Sequence, residues 1–377
     1  MPRPEENFDD RTRIIRRDDT VPVTPHEEFG HYLVVIGGTG LGRRLRVEGE
    51  PIVIGRDSQS TLVLASPDVS RRHCQVELSG GEVYAIDLRS TNGTYIDGKR
   101  IEGPTPLPDG SILEIGQQVL KHERRSTREV QEAQELGRDL EAARNYGLSL
   151  LPPAIASGPV QTEWFIVPSA QVGGDAFGYG ELEGGRFMSF LFDVSGHGIG
   201  AALLSVSILN VLRQRALPGT DFNRPGQVLQ NLNAMFRMED HNEMFFTMWY
   251  GVYDRAKRKL TYASAGHHPA YLVSPDRGSV TALKTEGPLM GVLENHLFEE
   301  ATADVPKGAS LHVFSDGVFE VEDKAGKQLG LSDFLPTLRQ APVEGRSEPQ
   351  RIYQSVREIS RPGPLDDDFS YLVVKFP

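Results

Sequence analysis

The sequence predicts a multidomain protein in which an all-β sandwich, a linker helix and an α+β domain follow one another. Three observations carry that prediction. Between residues 30 and 124, short apolar and β-branched runs alternate with clusters of Gly, Pro, Asp and Ser, the spacing of a sandwich of short strands. Residues 125–153 turn to helix-forming composition and stop at Pro152-Pro153, where the ring and the missing N–H end a helix. From residue 154 to 377, strand-like runs alternate with two apolar-periodic stretches, 200–215 and 225–238. That mixture reads as α+β.

Composition narrows the function classes. A 377-residue chain with 38% hydrophobic and 24% charged residues has the makeup of a globular protein of two or three domains. A net charge of −12 argues against general nucleic-acid binding. The single cysteine, Cys74, excludes an internal disulfide framework and suits a reducing, cytoplasmic setting. It reads as a small buried residue. No run of 18 apolar residues occurs, so no membrane span is expected. The opening MPRPEENFDD has no apolar core of the kind a secretory signal needs.

Residues 1–29 are polar, charged and proline-bearing, and are expected to form a disordered tail. Two isolated threonines, Thr20 and Thr24, lie in its DDTVPVTPHEE stretch. The sandwich segment then runs through YLVVIG, RRLRV, PIVIG, TLVLA, CQVELS, EVYAIDL, TYIDG and SILEIG. Between these strands fall IGRD (54–57), SRRH (70–73) and RSTNGT (89–94). In this order and on loops, the three resemble the motifs of the forkhead-associated (FHA) domain. That resemblance implies a phosphothreonine-binding module whose ligand contacts are Arg56, Ser70, Arg71, Thr91 and Asn92. The chemistry agrees. A phosphate needs several fixed donors, and a guanidinium fork and a hydroxyl supply them. His73 reads as an internal tie between loops, and Gly93 as a turn with positive φ. Among FHA ligands the residue three positions after the phosphothreonine matters. Thr24, with Glu27 there, is therefore favoured over Thr20, with Val23.

In STREVQEAQELGRDLEAARNYGLSLLPP, Ser126 or Thr127 is placed to cap a helix, with Glu129 in its first turn. Ala133, Leu136, Leu140, Ala143, Gly147 and Leu150 repeat at alternating spacings of three and four, a short heptad seam.

The third region is organised around FLFDVSGHGIGAALLS (190–205). A buried strand ends on Asp193, a glycine turn follows, and a helix of small residues begins. Asp175 in VGGDAFGYG, Asp316 in LHVFSDGVFE and the run Asp366-Asp367-Asp368 are further strand-edge acids beside glycines or turns. Such a set points to one shared polyaspartate metal site. With FTMWYGVYD, SAGHHPAYLV and GPLMGV between them, these motifs resemble, in order, the SpoIIE-type branch of the metal-dependent PPM protein phosphatases. The resemblance implies two stacked antiparallel sheets flanked by helices. It also implies two Mn²⁺ or Mg²⁺ ions, with Asp193 bridging, Asp175 and the Val194 carbonyl beside it, and Asp316 and Asp367 on the opposite ion. The reaction implied is hydrolysis of phosphoserine or phosphothreonine on a small signalling protein, such as an anti-sigma-factor antagonist. It further implies that the linker helix joins two chains. Hard ions of this kind take oxygen ligands and keep waters. Asp175 and Asp193 are the acids expected to carry catalysis.

The chain departs from the family at Gly178, where many relatives carry a second acid, and no arginine is assignable to the substrate phosphate. Asp368 reads as an outer support or as a turn residue. His197, His267 and His268 read as loop histidines rather than general acids. A non-catalytic FHA scaffold is the alternative, and keeping all four acids argues against it. GGDAF (173–177) approximates the GGDEF signature of diguanylate cyclases, but Ala176 stands where that signature has an acid, and this with the DVSGHG context that follows argues against that reading.

Overall fold

The computed structural model describes residues 29–170 and 172–377. The tail up to residue 28, with Thr20 and Thr24, lies outside the described residues. Phe29, assigned by composition to the tail, opens the first strand. The chain divides into two compact units that meet between Leu136 and Gly137.

The first unit contains β1 (Phe29–Gly37), β2 (Arg44–Val47), β3 (Ile52–Gly55), β4 (Leu62–Val63), β5 (Cys74–Ser79) and β6 (Glu82–Asp87). After these come β7 (Thr94–Ile96), β8 (Lys99–Arg100), β9 (Thr105–Pro106), β10 (Ile112–Ile115) and β11 (Gln118–Ser126). One sheet runs β2-β1-β11-β10-β7-β8 and the other β4-β3-β5-β6-β9. Alternate residues such as Leu33, Val35, Ile54, Val76, Ala85, Leu113 and Leu120 fill the core between them. Cys74 is part of that core, and burial pushes its thiol up to about 12, so it stays protonated and inert.

Helix α1 (Thr127–Ser149) follows β11 directly. None of its described side chains is fully buried, and Leu136 and Tyr146 of its apolar residues are about half exposed.

The second unit begins with β12 (Gln161–Val167), β13 (Ala176–Leu182), β14 (Arg186–Val194), α2 (Ile199–Gln214) and α3 (Pro225–Met235). Next are β15 (Phe246–Asp254), β16 (Lys259–Ala265), β17 (Ala270–Val273), β18 (Val280–Leu283), β19 (Ala301–Asp304) and β20 (Ala309–Phe314). It closes with α4 (Leu331–Phe334), α5 (Glu348–Ile359) and β21 (Phe369–Phe376). The antiparallel sheets run β13-β14-β15-β16-β19 and β12-β21-β20-β17-β18.

Strand β14 shows why the layers form. Leu191 and Phe187 join Trp249, Leu311, Val313 and Leu372 between the two sheets. Met188, Phe190, Phe192 and Val194 point the other way and pack with Leu204, Ile208 and Leu212 of α2. A strand buried on both faces is expected to be largely apolar, and between Phe187 and Phe192 only Ser189 is polar. Truncating Phe190 or Phe192 to Ala would cost about 3–5 kcal/mol. On the outer face of the second sheet, Ile352 and Val356 of α5 pack with Phe314, Phe369 and Tyr371.

Candidate functional site

Two sets of loops collect the residues singled out in the sequence, one in each unit. In the first unit, Arg56 follows β3, Ser70 and Arg71 precede β5, and Thr91 and Asn92 lie between β6 and β7. Hydrogen bonds tie these loops into one surface. The Arg56 N–H donates to the Ser70 carbonyl at 3.0 Å, and the Asp57 N–H to that of Arg71 at 3.1 Å. The Thr91 N–H donates to Ser70 Oγ at 3.1 Å. Asn92 Nδ2 donates to the Asp68 carbonyl at 2.8 Å. Beneath them, buried His73 accepts the Ser70 N–H at Nδ1 (3.0 Å), so its Nε2–H donates to the Gly93 carbonyl (3.0 Å). This is the internal tie expected of it, and Gly93 has φ +80° as its turn requires. Arg56 and Arg71 are exposed and form no ion pair among the described residues.

In the second unit, four segments bring acids together. Asp175 precedes β13, Asp193 lies at the end of β14, Asp316 follows β20, and Asp367 and Asp368 precede β21. Glycine makes the approach possible. A Cβ on Gly174 would lie 2.8 Å from the Val194 carbonyl oxygen, and one on Gly173 2.4 Å from Asp368 Oδ2. A Cβ on Gly317 would meet the Asp368 carbonyl oxygen at 2.3 Å. These glycines, adjoining Asp175 and Asp316 in sequence, are therefore positions of close backbone contact.

Asp368 has a definite part in this arrangement. Its carboxylate accepts the Ser169 N–H (2.8 Å), the Ser169 hydroxyl (2.9 Å) and the Gly174 N–H (2.8 Å). It supports the loop that presents Asp175. Sequence reasoning missed Ser315 and Ser370, both buried beside the cluster. Ser315 Oγ donates to the Asp368 carbonyl at 2.8 Å and accepts the Ser370 N–H at 3.0 Å. A serine preceding Asp316 and another two residues past Asp368 were the available signal.

The electrostatics are those of uncompensated negative charge. Burial, then Asp193 and Asp368, hold Asp175 well above the usual carboxylate range. Burial, then Asp316 and Asp367, push Asp193 up to about 8. Burial, Asp367 and Glu320 push Asp316 up to about 6. Asp367 is also raised, chiefly by burial, although His197 draws it down. Asp175 Oδ2 and Asp316 Oδ1 are buried without a hydrogen-bond partner. A bound cation would reverse each of these penalties. As they stand, no three acid, imidazole or thiol groups among the described residues converge on one point as a closed cage.

The Gly178 departure has a physical cause. A Cβ there would lie 2.4 Å from Phe190 Cζ, and that ring stacks on Phe192 and Tyr250. His267 and His268 sit in the buried loop before β17, held neutral by burial, His268 at about 4. Their Nδ1 atoms face the carbonyls of His268 and Pro269.

Comparison with known proteins agrees with this geometry. Residues 183–377 match the family of stage II sporulation protein E (SpoIIE), and residues 52–116 match the FHA domain. The chain belongs to the SpoIIE family. It is 29% identical over 263 residues to the phosphoserine phosphatase RsbU of Bacillus subtilis, covering 69% of this chain and 76% of that one. It is 34% identical over 111 residues to the FHA domain-containing protein FhaB of Mycolicibacterium smegmatis, covering 29% of this chain and 72% of that one. The solved SiaA-PP2C domain of Pseudomonas aeruginosa shares the fold, with a TM-score of 0.54 and 18% identity, covering 65% of this chain and 99% of that one. This SpoIIE-family chain is a PPM-type phosphatase with an FHA domain, and divalent-metal dependence comes with that class. Among the described residues, no helix is long and apolar enough to cross a membrane.

Proposed function

We propose that the second unit hydrolyses phosphoserine or phosphothreonine on a protein substrate, using Asp175, Asp193, the Val194 carbonyl, Asp316 and Asp367 to hold two Mn²⁺ or Mg²⁺ ions. The observation that carries this reading is the acid cluster itself, in which Asp175 is buried, two carboxylate oxygens are unpartnered, and no cationic side chain among the described residues pairs with the four acids. When bound, such ions supply charge neutralisation for the phosphate and an activated water. The chain's own part is to hold carboxylates rigidly. Asp193 shares a side-chain hydrogen bond with Asp175 and feels the charges of Asp316 and Asp367, which supports a bridging role for it. Asp368, through Ser169 and Gly174, keeps Asp175 in place. By likeness to RsbU, named a phosphoserine phosphatase, the group removed is a phosphoserine, and the family resemblance points to a small signalling protein as its carrier.

The test is metal-free protein assayed on phosphoserine and phosphothreonine peptides as Mn²⁺ or Mg²⁺ is added. Saturable activation by either ion is expected. Full turnover in the presence of chelator would overturn the reading.

The linker helix fits a second copy of this chain. The seam of Ala133, Leu136, Leu140 and Ala143 lies on a helix with no fully buried described side chain. In a parallel pair, Asp139 at a g position would face Arg144 at the partner's e position. Replacing both Leu136 and Leu140 by Glu should convert dimers to monomers in light scattering. A wild type that is monomeric at high micromolar concentration would rule the pairing out.

A further inference from the structure

Formal charges in the first unit's described strands and loops are nearly balanced, but their pairing is not even. On one side, Arg44, Lys121 and Arg125 converge on Glu123, and Arg46 pairs with Glu48. Around the phosphate loops the pattern reverses. Arg56, Arg71, Arg72, Arg89, Lys99 and Arg100 are all exposed, and none has an acidic partner among the described residues.

The acids near them are turned to other work. Asp57 Oδ1 accepts the Gln59 N–H at 3.1 Å. Asp68 is taken by the Ser66 hydroxyl and the Gln117 N–H. Asp87 accepts the Ser90 N–H and hydroxyl (3.1 and 2.6 Å) and the Thr94 hydroxyl (2.7 Å). Asp97 Oδ1 accepts the Ile112 N–H at 2.8 Å. Each of these carboxylates shapes a loop through backbone or hydroxyl donors and leaves the guanidiniums unneutralised.

Arg100 is held at the phosphate loop by geometry. Gly93 lacks the side chain that would block it, and a Cβ there would lie 2.7 Å from Arg100 Nε. The Arg100 guanidinium thus lies against Gly93, which follows Thr91 and Asn92 in the loop. Arg89 begins the same loop with left-handed φ +60°. A single phosphate can occupy two or three cationic groups, so this face carries more positive charge than one phosphothreonine uses.

We propose that this face selects phosphothreonine segments flanked by carboxylates, with Arg100 and Arg89 reading the flanking acids while Arg56, Ser70 and Arg71 hold the phosphate. The proposal rests on the first unit's reading as a phosphothreonine-binding module and adds which partners it prefers. Guanidiniums suit this task because they fork onto carboxylates and remain charged at every physiological pH.

The experiment uses the full chain and three fluorescent peptides of equal length: phosphothreonine with neutral flanks, phosphothreonine with two glutamates on each side, and the acidic peptide without phosphate. At about 0.1 M salt the acid-flanked phosphopeptide should bind roughly tenfold more tightly than the neutral-flanked one. Arg100→Gln combined with Arg89→Gln should erase that difference and leave the neutral-flanked peptide within about twofold. Arg100→Lys should restore part of it, which a folding defect would not do. Equal affinity of wild type for the two phosphopeptides would overturn the proposal, as would a variant that weakens both alike. Binding of neither phosphopeptide would instead remove the phosphothreonine reading, and the proposal with it. A single-stranded oligonucleotide of matching charge that competes as well as the acid-flanked peptide would assign the face to nucleic acid and defeat the proposal.

Discussion

Asp193 and Glu348 are both strongly affected by burial in the second unit, and their surroundings differ in one respect. Glu348, at the start of α5, receives Arg351 at 2.6 Å and Arg277 at 2.9 Å. Burial pushes its carboxyl up, but the two guanidiniums outweigh that and bring it to about 2. Arg351 is in turn satisfied by Gln340 and the Thr337 carbonyl. Asp193 is largely desolvated beside the carboxylates of Asp316 and Asp367 and rises to about 8. The matched acid needs nothing from outside and pins a helix to a sheet. The unmatched one is costly in the protein alone, and it becomes favourable only when a cation arrives. The phosphate loops of the first unit also carry charges without an opposite partner among the described residues, but there the guanidiniums are exposed and solvated, so they wait for an anion at little cost.

The widest separation between the two acids should appear in catalysis. Asp193→Asn is expected to lower metal-dependent turnover on the order of a thousandfold or more, with circular dichroism unchanged. Glu348→Gln should leave kcat within about twofold, since no substrate or metal role falls to it. Near-normal turnover of the Asp193 variant at saturating Mn²⁺ would erase the distinction. Stability should sort the pair the other way. Glu348→Gln leaves the buried Arg351 and the half-buried Arg277 without their carboxylate and should cost about 3 kcal/mol in urea unfolding, whereas Asp193→Asn should stabilise the metal-free protein. A smaller effect of opposite slopes should show in pH dependence. Glu348 lies below its ordinary value of 4.5 when folded, so its contribution is present above pH 4.5 and is lost as pH falls toward 2. Asp193 lies above its ordinary 3.8 when folded, so metal-free stability should decline as pH rises from about 4 to about 8. Chelated protein unfolded in urea from about pH 2 to about pH 8 would show both limbs. Asp193→Asn should flatten the upper limb and Glu348→Gln the lower. In the first unit, Arg56→Ala should weaken phosphothreonine-peptide binding by roughly 2–3 kcal/mol in calorimetry, with turnover of a small phosphoester unchanged.

Much of this was legible in the sequence, for reasons that can be named. Asp175, Asp193, Asp316 and Asp367 stood out because acids at the ends of apolar strands have few structural uses. The GGD and SDG glycines marked turns beside these acids, and the structure adds the close contacts that a side chain there would violate. Strand β11 was missed because its outward residues Lys121, Glu123 and Arg125 obscure the alternation with buried Leu120 and His122. Helix α5 was missed because its buried stripe is thin, with Ile352 and Val356 as its aliphatic contacts. Its start was nevertheless written in Ser347 with Gln350 three residues on, a capping box, and Pro349 in the first turn. The Glu348–Arg277–Arg351 group joins residues 71 positions apart, and local pattern cannot foresee such pairings.

The ring of Phe190 over Gly178 has a consequence for how this site can change by descent. A lineage that lost an acid at position 178 and let an aromatic ring settle there cannot regain it by one substitution. An aspartate at 178 would collide with the ring, and a smaller residue at 190 alone would open a hole among Phe192 and Tyr250. Either first step costs about 3 kcal/mol or more, a large share of a domain's stability. The ring acts as a ratchet: drift past this point is easy to make and hard to retrace.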